Sequence, residues 1–258
     1  MLFTGAELTQ MAGSFFWPFI RIAAMVTAMP VFTSAFIPMR VRLILALALT
    51  VVIAPIIPKV PLIDAISING LLLIIQQVII GVVMGFIFHL VFAAFTVGGQ
   101  IIAMQMGLGF STMIDPVNGA QVPVLSMFYV ILVTLFFLLL NGHLALIGVV
   151  AQSFKTLPIG IHGLVREDFW SLVRWGSQMF IGAVLVALPA VVSLLFINMA
   201  LGVIGRAAPQ LNIFAVGFSI TITAGYYVIM VSLPVVLVQF EDISTSGFDV
   251  IKAIVHLR

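Results

Sequence analysis

Long runs of apolar residues, broken by short polar connections, set the pattern of this chain. Six stretches, near residues 12–33, 41–57, 70–106, 124–150, 176–204 and 211–240, carry almost no charge. A helix needs about 20 predominantly apolar residues to cross a bilayer. All six qualify, the second only loosely. They are too long and too uniformly apolar for barrel strands, and lipid excludes irregular backbone with unpaired N–H and C=O groups. The pattern predicts an all-α integral membrane protein of about six long hydrophobic helices.

Composition agrees with the pattern. Of 258 residues, 63% are hydrophobic and 7% charged, against roughly 25% charged in soluble domains. Ten Lys+Arg and eight Asp+Glu cannot cover a water-facing surface of this size. Disorder is excluded as well, because it requires low hydrophobicity. No basic run is interleaved with aromatics, which argues against nucleic acid as a partner. The absence of cysteine removes disulfides, thiolate metal sites and thiol catalysis. The first charge is Glu7, so the chain lacks the positive start of a cleavable signal and is expected to insert through its own first span.

The connections carry the remaining polarity. Pro30, Pro38, Arg40 and Arg42 separate the first two stretches, and Pro55, Pro58 and Pro61 end the second. The longest polar connection is 151–175, and a short turn, 205–210, precedes the last stretch. With six spans, Lys59, Lys155, Arg166, Arg174, Lys252 and Arg258 share one side, and Arg40, Arg42 and Arg206 the other. The first set is the better cytoplasmic candidate by the positive-inside rule. The third stretch is too long for one bilayer. As a single helix it would reach about 55 Å, against a hydrocarbon core of about 30 Å. Either Gly98-Gly99 breaks it, or it runs past the membrane and partner chains cover the excess.

Catalytic signals are missing from the sequence. The histidines His89, His143, His162 and His256 are scattered, with no His-Glu-x-x-His pair for zinc. Gly107-Leu108-Gly109 begins like a dinucleotide fingerprint, but the third glycine and the strand–helix context are missing. No cofactor is expected. Intramembrane polar residues are the next candidates. Arg21 lies inside the first stretch, where a charge costs at least ~2.5 kcal/mol on insertion scales; it either marks function or fixes packing. Gly81 and Gly85, four apart on a face shared with His89, suit a close helix approach. Gln76, Gln77, Gln100 and Gln105 read as interhelical hydrogen-bond donors. No stretch buries a carboxylate at its centre, which weighs against a proton-coupled small-solute transporter.

The 107–123 connection is unusual. Its glycines and Asp115-Pro116 make it non-helical, yet it carries Leu108, Phe110, Met113 and Ile114. Such an apolar loop should fold back into protein or line a cavity. Adaptable Met and Phe side chains could fill a pore and yield to a passing chain. An ordinary surface or interfacial loop is the plainer alternative.

Two motifs resemble a known family. Gly107-Leu108-Gly109-Phe110 with Asp115-Pro116, and Arg206-Ala-Ala-Pro209-Gln210-Leu-Asn212, are similar to signatures of the FliR family of type III secretion export-gate proteins. Arg21 and the Pro30…Pro38-x-Arg40 stretch fit as well, and the resemblance covers essentially the whole chain. It implies a non-enzymatic subunit of the flagellar export gate, in the bacterial inner membrane within the flagellar basal body. FliP-like and FliQ-like subunits would be its partners, with FlhB-like and FlhA-like export components, and unfolded flagellar proteins would pass through the assembly. Within a hetero-oligomer of packed helical hairpins, roughly 1–205 would be FliP-like and 206–258 a FliQ-like hairpin. A plug loop would map onto about 106–122, with Leu108, Phe110, Met113, Ile114, Asp115 and Pro116 filling the closed pore. Arg21, Gly81, Gly85, Arg206, Pro209, Gln210 and Asn212 would serve subunit contact or packing. The equivalent injectisome subunit is the nearest alternative.

Overall fold

A computed structural model describes residues 5–33, 37–58, 67–114, 121–160, 163–208 and 213–257; side chains are placed from residue 13 onward and, in the last helix, from residue 216. Helices dominate: α1 Gly5–Ala28, α2 Pro30–Thr33, α3 Met39–Ile53, α4 Ile68–Gln105, α5 Val124–Leu139, α6 Gly142–Thr156, α7 Arg166–Trp175, α8 Ser177–Ala207 and α9 Ile213–Ile254. Between α4 and α5 lies a ribbon of two short strands, β1 Thr112–Ile114 and β2 Gln121–Pro123.

The all-α class stands, but the six apolar stretches do not become six long helices. Four helices among the described residues are long and apolar enough to cross a membrane, and α5 with α6 makes a fifth if counted as one broken span. The break falls at Asn141, which holds a left-handed φ of 55°, a conformation that Asn tolerates better than most residues. The first stretch forms α1, which ends at Ala28 where the chain bends at Met29 before Pro30 opens α2. At the other end of the chain, α9 continues past 240 through Glu241 and Asp242 to Ile254. Among the described residues after α8, the C-terminal end is this one long helix.

The third stretch is one helix. α4 passes through Gly98 and Gly99 without interruption for 38 residues, about 57 Å at the α-helical rise. The two glycines serve packing. A Cβ at Gly98 would meet the Ala183 carbonyl oxygen at 3.1 Å, and one at Gly99 would meet the Ser126 Cα at 2.8 Å. Glycine lets α8 and α5 approach the α4 backbone there, and no hinge results.

Hydroxyl side chains inside these apolar helices bond back to the preceding turn. Thr50, Thr96, Thr134 and Thr221 each donate to the carbonyl four residues earlier, so each polar group is satisfied without a second helix. Pro189 in α8 and Pro234 in α9 sit mid-helix, as membrane helices permit.

The chain divides into two compact units. One comprises residues 1–90, 137–176 and 245–258, the other 91–136 and 177–244. In the first, α1 packs on α3 and on the start of α4, and Trp17, Met25, Ile87 and Phe88 are buried. Its α7 is held by Trp175, whose indole N–H donates to Ser246 Oγ at 2.9 Å. Asp168 accepts from the Val165 N–H at 2.9 Å and so satisfies the N-terminal end of α7. In the second unit, Phe92, Phe95 and Phe136 surround Phe240 of α9. Tyr129 and Val133 of α5 are wholly buried there.

Candidate functional site

The ribbon begins where α4 is stopped. Gly107 takes φ 77°, open to glycine at little cost. The Leu108 N–H donates to the Ala103 carbonyl at 2.8 Å, and the Gly107 N–H to that of Met104 at 3.1 Å. This is the Schellman arrangement that ends a helix on a left-handed glycine. Met106, just before it, is buried against Gly225 of α9, where any Cβ would fall on the Met106 side chain. The end of α4 is thus anchored, and the chain beyond it projects from a fixed point.

After one turn, closed by the Ser111 N–H on the Leu108 carbonyl at 3.0 Å, the strands pair antiparallel. Thr112 lies opposite Pro123, Met113 opposite Val122, and Ile114 opposite Gln121. The Val124 N–H closes the base on the Ser111 carbonyl at 2.9 Å. The sequence predicts a non-helical segment, but the strand pairing carried no local signal. Both strands are three residues long, too short for a period-two pattern to register.

The apolar side chains of this segment do not fold back into the chain. Phe110 is 100% exposed, Ile114 69% and Met113 49%, while Leu108 is half-buried. The expectation that the loop would bury itself or line a cavity is therefore not met within one chain. The reason is geometric: the strands bond to each other, and among the described residues of the two strands only Pro123, at the base, is buried. Asp115 and Pro116 lie outside the described residues, as do Pro209, Gln210 and Asn212.

Arg21 occupies the opposite situation. It is wholly buried in the first unit. Its Nε donates to Gln77 Oε1 at 2.8 Å, and its two terminal nitrogens donate to Ser153 Oγ at 3.0 Å and the Leu157 carbonyl at 2.9 Å. The guanidinium lies 4.3 Å from the centre of the Phe154 ring, a cation–π contact. No carboxylate pairs with it among the described residues. Neutral acceptors, and the carbonyl just past the C-terminus of α6, where the helix dipole favours a cation, hold the charge. Gln77 thus acts as acceptor, whereas the sequence reading made it a donor.

Gly81 and Gly85 seat α1 beside this node. A Cβ on Gly81 would overlap the Arg21 carbonyl oxygen and come within 2.7 Å of the Ala24 Cβ; one on Gly85 would lie 2.6 Å from the Ala28 Cβ. Gln77, Gly81 and Gly85 follow at four-residue spacing on one face of α4. That spacing was the available signal for Gln77 as a partner of Arg21. Ser153 and Phe154 carried none, because nothing local connects them to residue 21. His89 lies half-buried and stacks on Phe86 at 6.2 Å.

Arg206 has a different setting from Arg21. It is exposed in the last turn of α8, which continues to Ala207. The short turn expected at 205–210 therefore starts later than the sequence suggests. A cation in that position is favoured by the helix dipole.

With this geometry in view, the chain can be set beside known proteins. The family model described as bacterial export proteins, family 1, matches residues 12–246. The flagellar biosynthetic protein FliR of Pectobacterium carotovorum subsp. carotovorum is 39% identical over 98% of this chain and 97% of its own. FliR of Escherichia coli (strain K12) is 37% identical over 93% and 92% respectively. FliR of Bacillus subtilis (strain 168) is 29% identical over 95% of both chains. A long apolar helix continuous beyond bilayer thickness, an internally satisfied Arg21 and an exposed oily ribbon thus belong to a chain that is a member of the bacterial export proteins, family 1.

Proposed function

We propose that this membrane protein is a core, non-enzymatic subunit of the flagellar type III secretion export gate. With FliP-like and FliQ-like subunits it forms the pore through which unfolded flagellar proteins cross the inner membrane, and FlhB-like and FlhA-like components link it to the rest of the apparatus. The segment around 106–122 plugs the closed pore. The single observation that carries this reading is the ribbon's exposed apolar side chains, with Phe110 fully exposed in the turn that leads into β1. An apolar, non-helical segment of a membrane chain must be covered by protein or line a conduit, and this chain alone does not cover it. Exposed apolar faces on α3, α8 and α9, such as Ile44, Phe196 and Tyr227, support assembly with other helical subunits. A fused FliP-like and FliQ-like architecture fits the long α8 and α9 at the C-terminal end.

The plug is tested in the assembled complex. Phe110→Ala with Met113→Ala, reconstituted in a planar bilayer, should raise conductance to ions in the closed state. Conductance equal to that of the parent complex, with assembly intact, would remove the plugging role.

A further inference from the structure

The ribbon has two backbone edges, and they are not equivalent. In an antiparallel pair, residues alternate between those bonded across the ladder and those whose N–H and C=O face outward. The Val124 N–H on the Ser111 carbonyl sets the phase. With the register of Met113 on Val122, the outward residues are Thr112 and Ile114 on β1, and Gln121 and Pro123 on β2. Proline has no N–H to offer, and Pro123 is also buried. The β2 edge is therefore closed as a template. The β1 edge is open: Thr112, Met113 and Ile114 are all exposed, and among the described residues the outward groups of Thr112 and Ile114 have no hydrogen-bond partner.

We propose that the outer edge of β1 takes the extended backbone of a polypeptide in transit by strand addition. The proposal rests on the assignment of the ribbon to the export conduit. Its occupant follows from the chemistry of the edge. Outward N–H and C=O groups in a strand geometry complement an extended main chain, and no charged side chain lies in 106–114 or 121–123 to select a sequence. Main-chain recognition suits cargo of unrelated sequence, because every peptide unit offers the same donor and acceptor. Apolar Phe110, Met113 and Ile114 exclude water around those bonds and strengthen them. Only two residues face outward, so the attachment is short and readily reversed, as passage requires. In the closed state the same open edge is a ready template for unwanted pairing, which covering subunits would prevent.

The natural absence of cysteine makes the test direct. In the complete complex, Thr112→Cys is combined with an export substrate arrested by a fused, stably folded domain. Single cysteines are placed at consecutive positions of the arrested segment. Strand addition predicts disulfide yields that alternate strong and weak along the substrate, since side chains alternate faces. It also predicts that Ile114→Pro, which removes one outward N–H and leaves the Met113–Val122 bonds, lowers the yield about three- to tenfold, as loss of one or two backbone bonds would. Ile114→Val should keep the parental yield. Uniform yields along the substrate, or disulfides formed with a neighbouring subunit instead of substrate, overturn the proposal. Where Ile114→Pro fails to assemble, the alternation alone decides. Substrate crosslinks from Phe110→Cys without alternation would sink strand addition and leave the conduit assignment standing. No substrate crosslink from any position in 108–114 during active export would sink both.

Discussion

Arg21 and Phe110 mark two regions that invert the usual rule of polar outside and apolar inside. Arg21 is wholly buried and Phe110 wholly exposed. The difference lies in compensation. Around Arg21, Gln77, Ser153 and the Leu157 carbonyl supply acceptors, and Phe154 supplies a ring face. The groups that hold the buried charge thus come from the same chain. Around Phe110 none of the described residues covers the apolar area, and β1 leaves backbone groups open. A region that is uncompensated within its own chain is where other molecules must act. The helices show the same contrast in milder form. In its most apolar part α4 is 61% buried, whereas the stretch 39–56, which contains α3, is only 17% buried.

The largest expected effect comes from removing the compensated charge. Arg21→Ala strands three acceptors in the core. Each buried polar group left unsatisfied costs about 1–3 kcal/mol, and the purified complex should lose thermal stability or fail to accumulate. Arg21→Lys should rescue poorly, because a lysine ammonium cannot reproduce the planar fork that reaches three acceptors. A stability near that of the parent in Arg21→Ala would mean the node is ornamental. Gly81→Ala comes next. Its Cβ would collide with the Arg21 carbonyl and push α1 away, an overpacking penalty of about 1–3 kcal/mol, read as a lowered unfolding midpoint in detergent.

Gly107→Ala should cost about 1 kcal/mol, through the left-handed conformation it must adopt, and should loosen the base of the ribbon. Gly107→Asn should be milder, since Asn visits that conformation more readily. The smallest stability effect belongs to Phe110→Ala with Met113→Ala. The unfolding midpoint of the chain should stay where it was, while closed-state conductance rises. Equal stability losses at Arg21 and at Phe110 would erase the distinction between the two regions.

Much of this was legible in the residue order. Apolar run lengths reveal the helices, because each helix satisfies its own backbone and so needs only local sequence. Glycines four apart reveal the face of α4 that receives α1. Gly107 marks the end of α4 through a purely local demand on φ. Other features were not readable. Nothing in the 70–106 stretch tells whether Gly98-Gly99 bends the helix or admits a neighbour, because both uses of glycine look alike until α8 and α5 are in place. The break at Asn141 and the bend at Met29 were hidden for a related reason: hydropathy measures content and is blind to backbone direction. The partners of Arg21 were equally hidden. Ser153 and Leu157 lie more than 130 residues away in sequence, and only folding brings them within 3.0 Å.

By itself the sequence determined the solvent of this protein, its helical class and its family, since these depend on composition, run length and motif, which are properties of neighbours along the chain. Tertiary structure alone decided that the buried arginine is at peace inside its own fold and that the oily ribbon is not. Whether a polar or apolar group is compensated depends on what stands beside it in space, and residues distant in the chain supply or withhold that company.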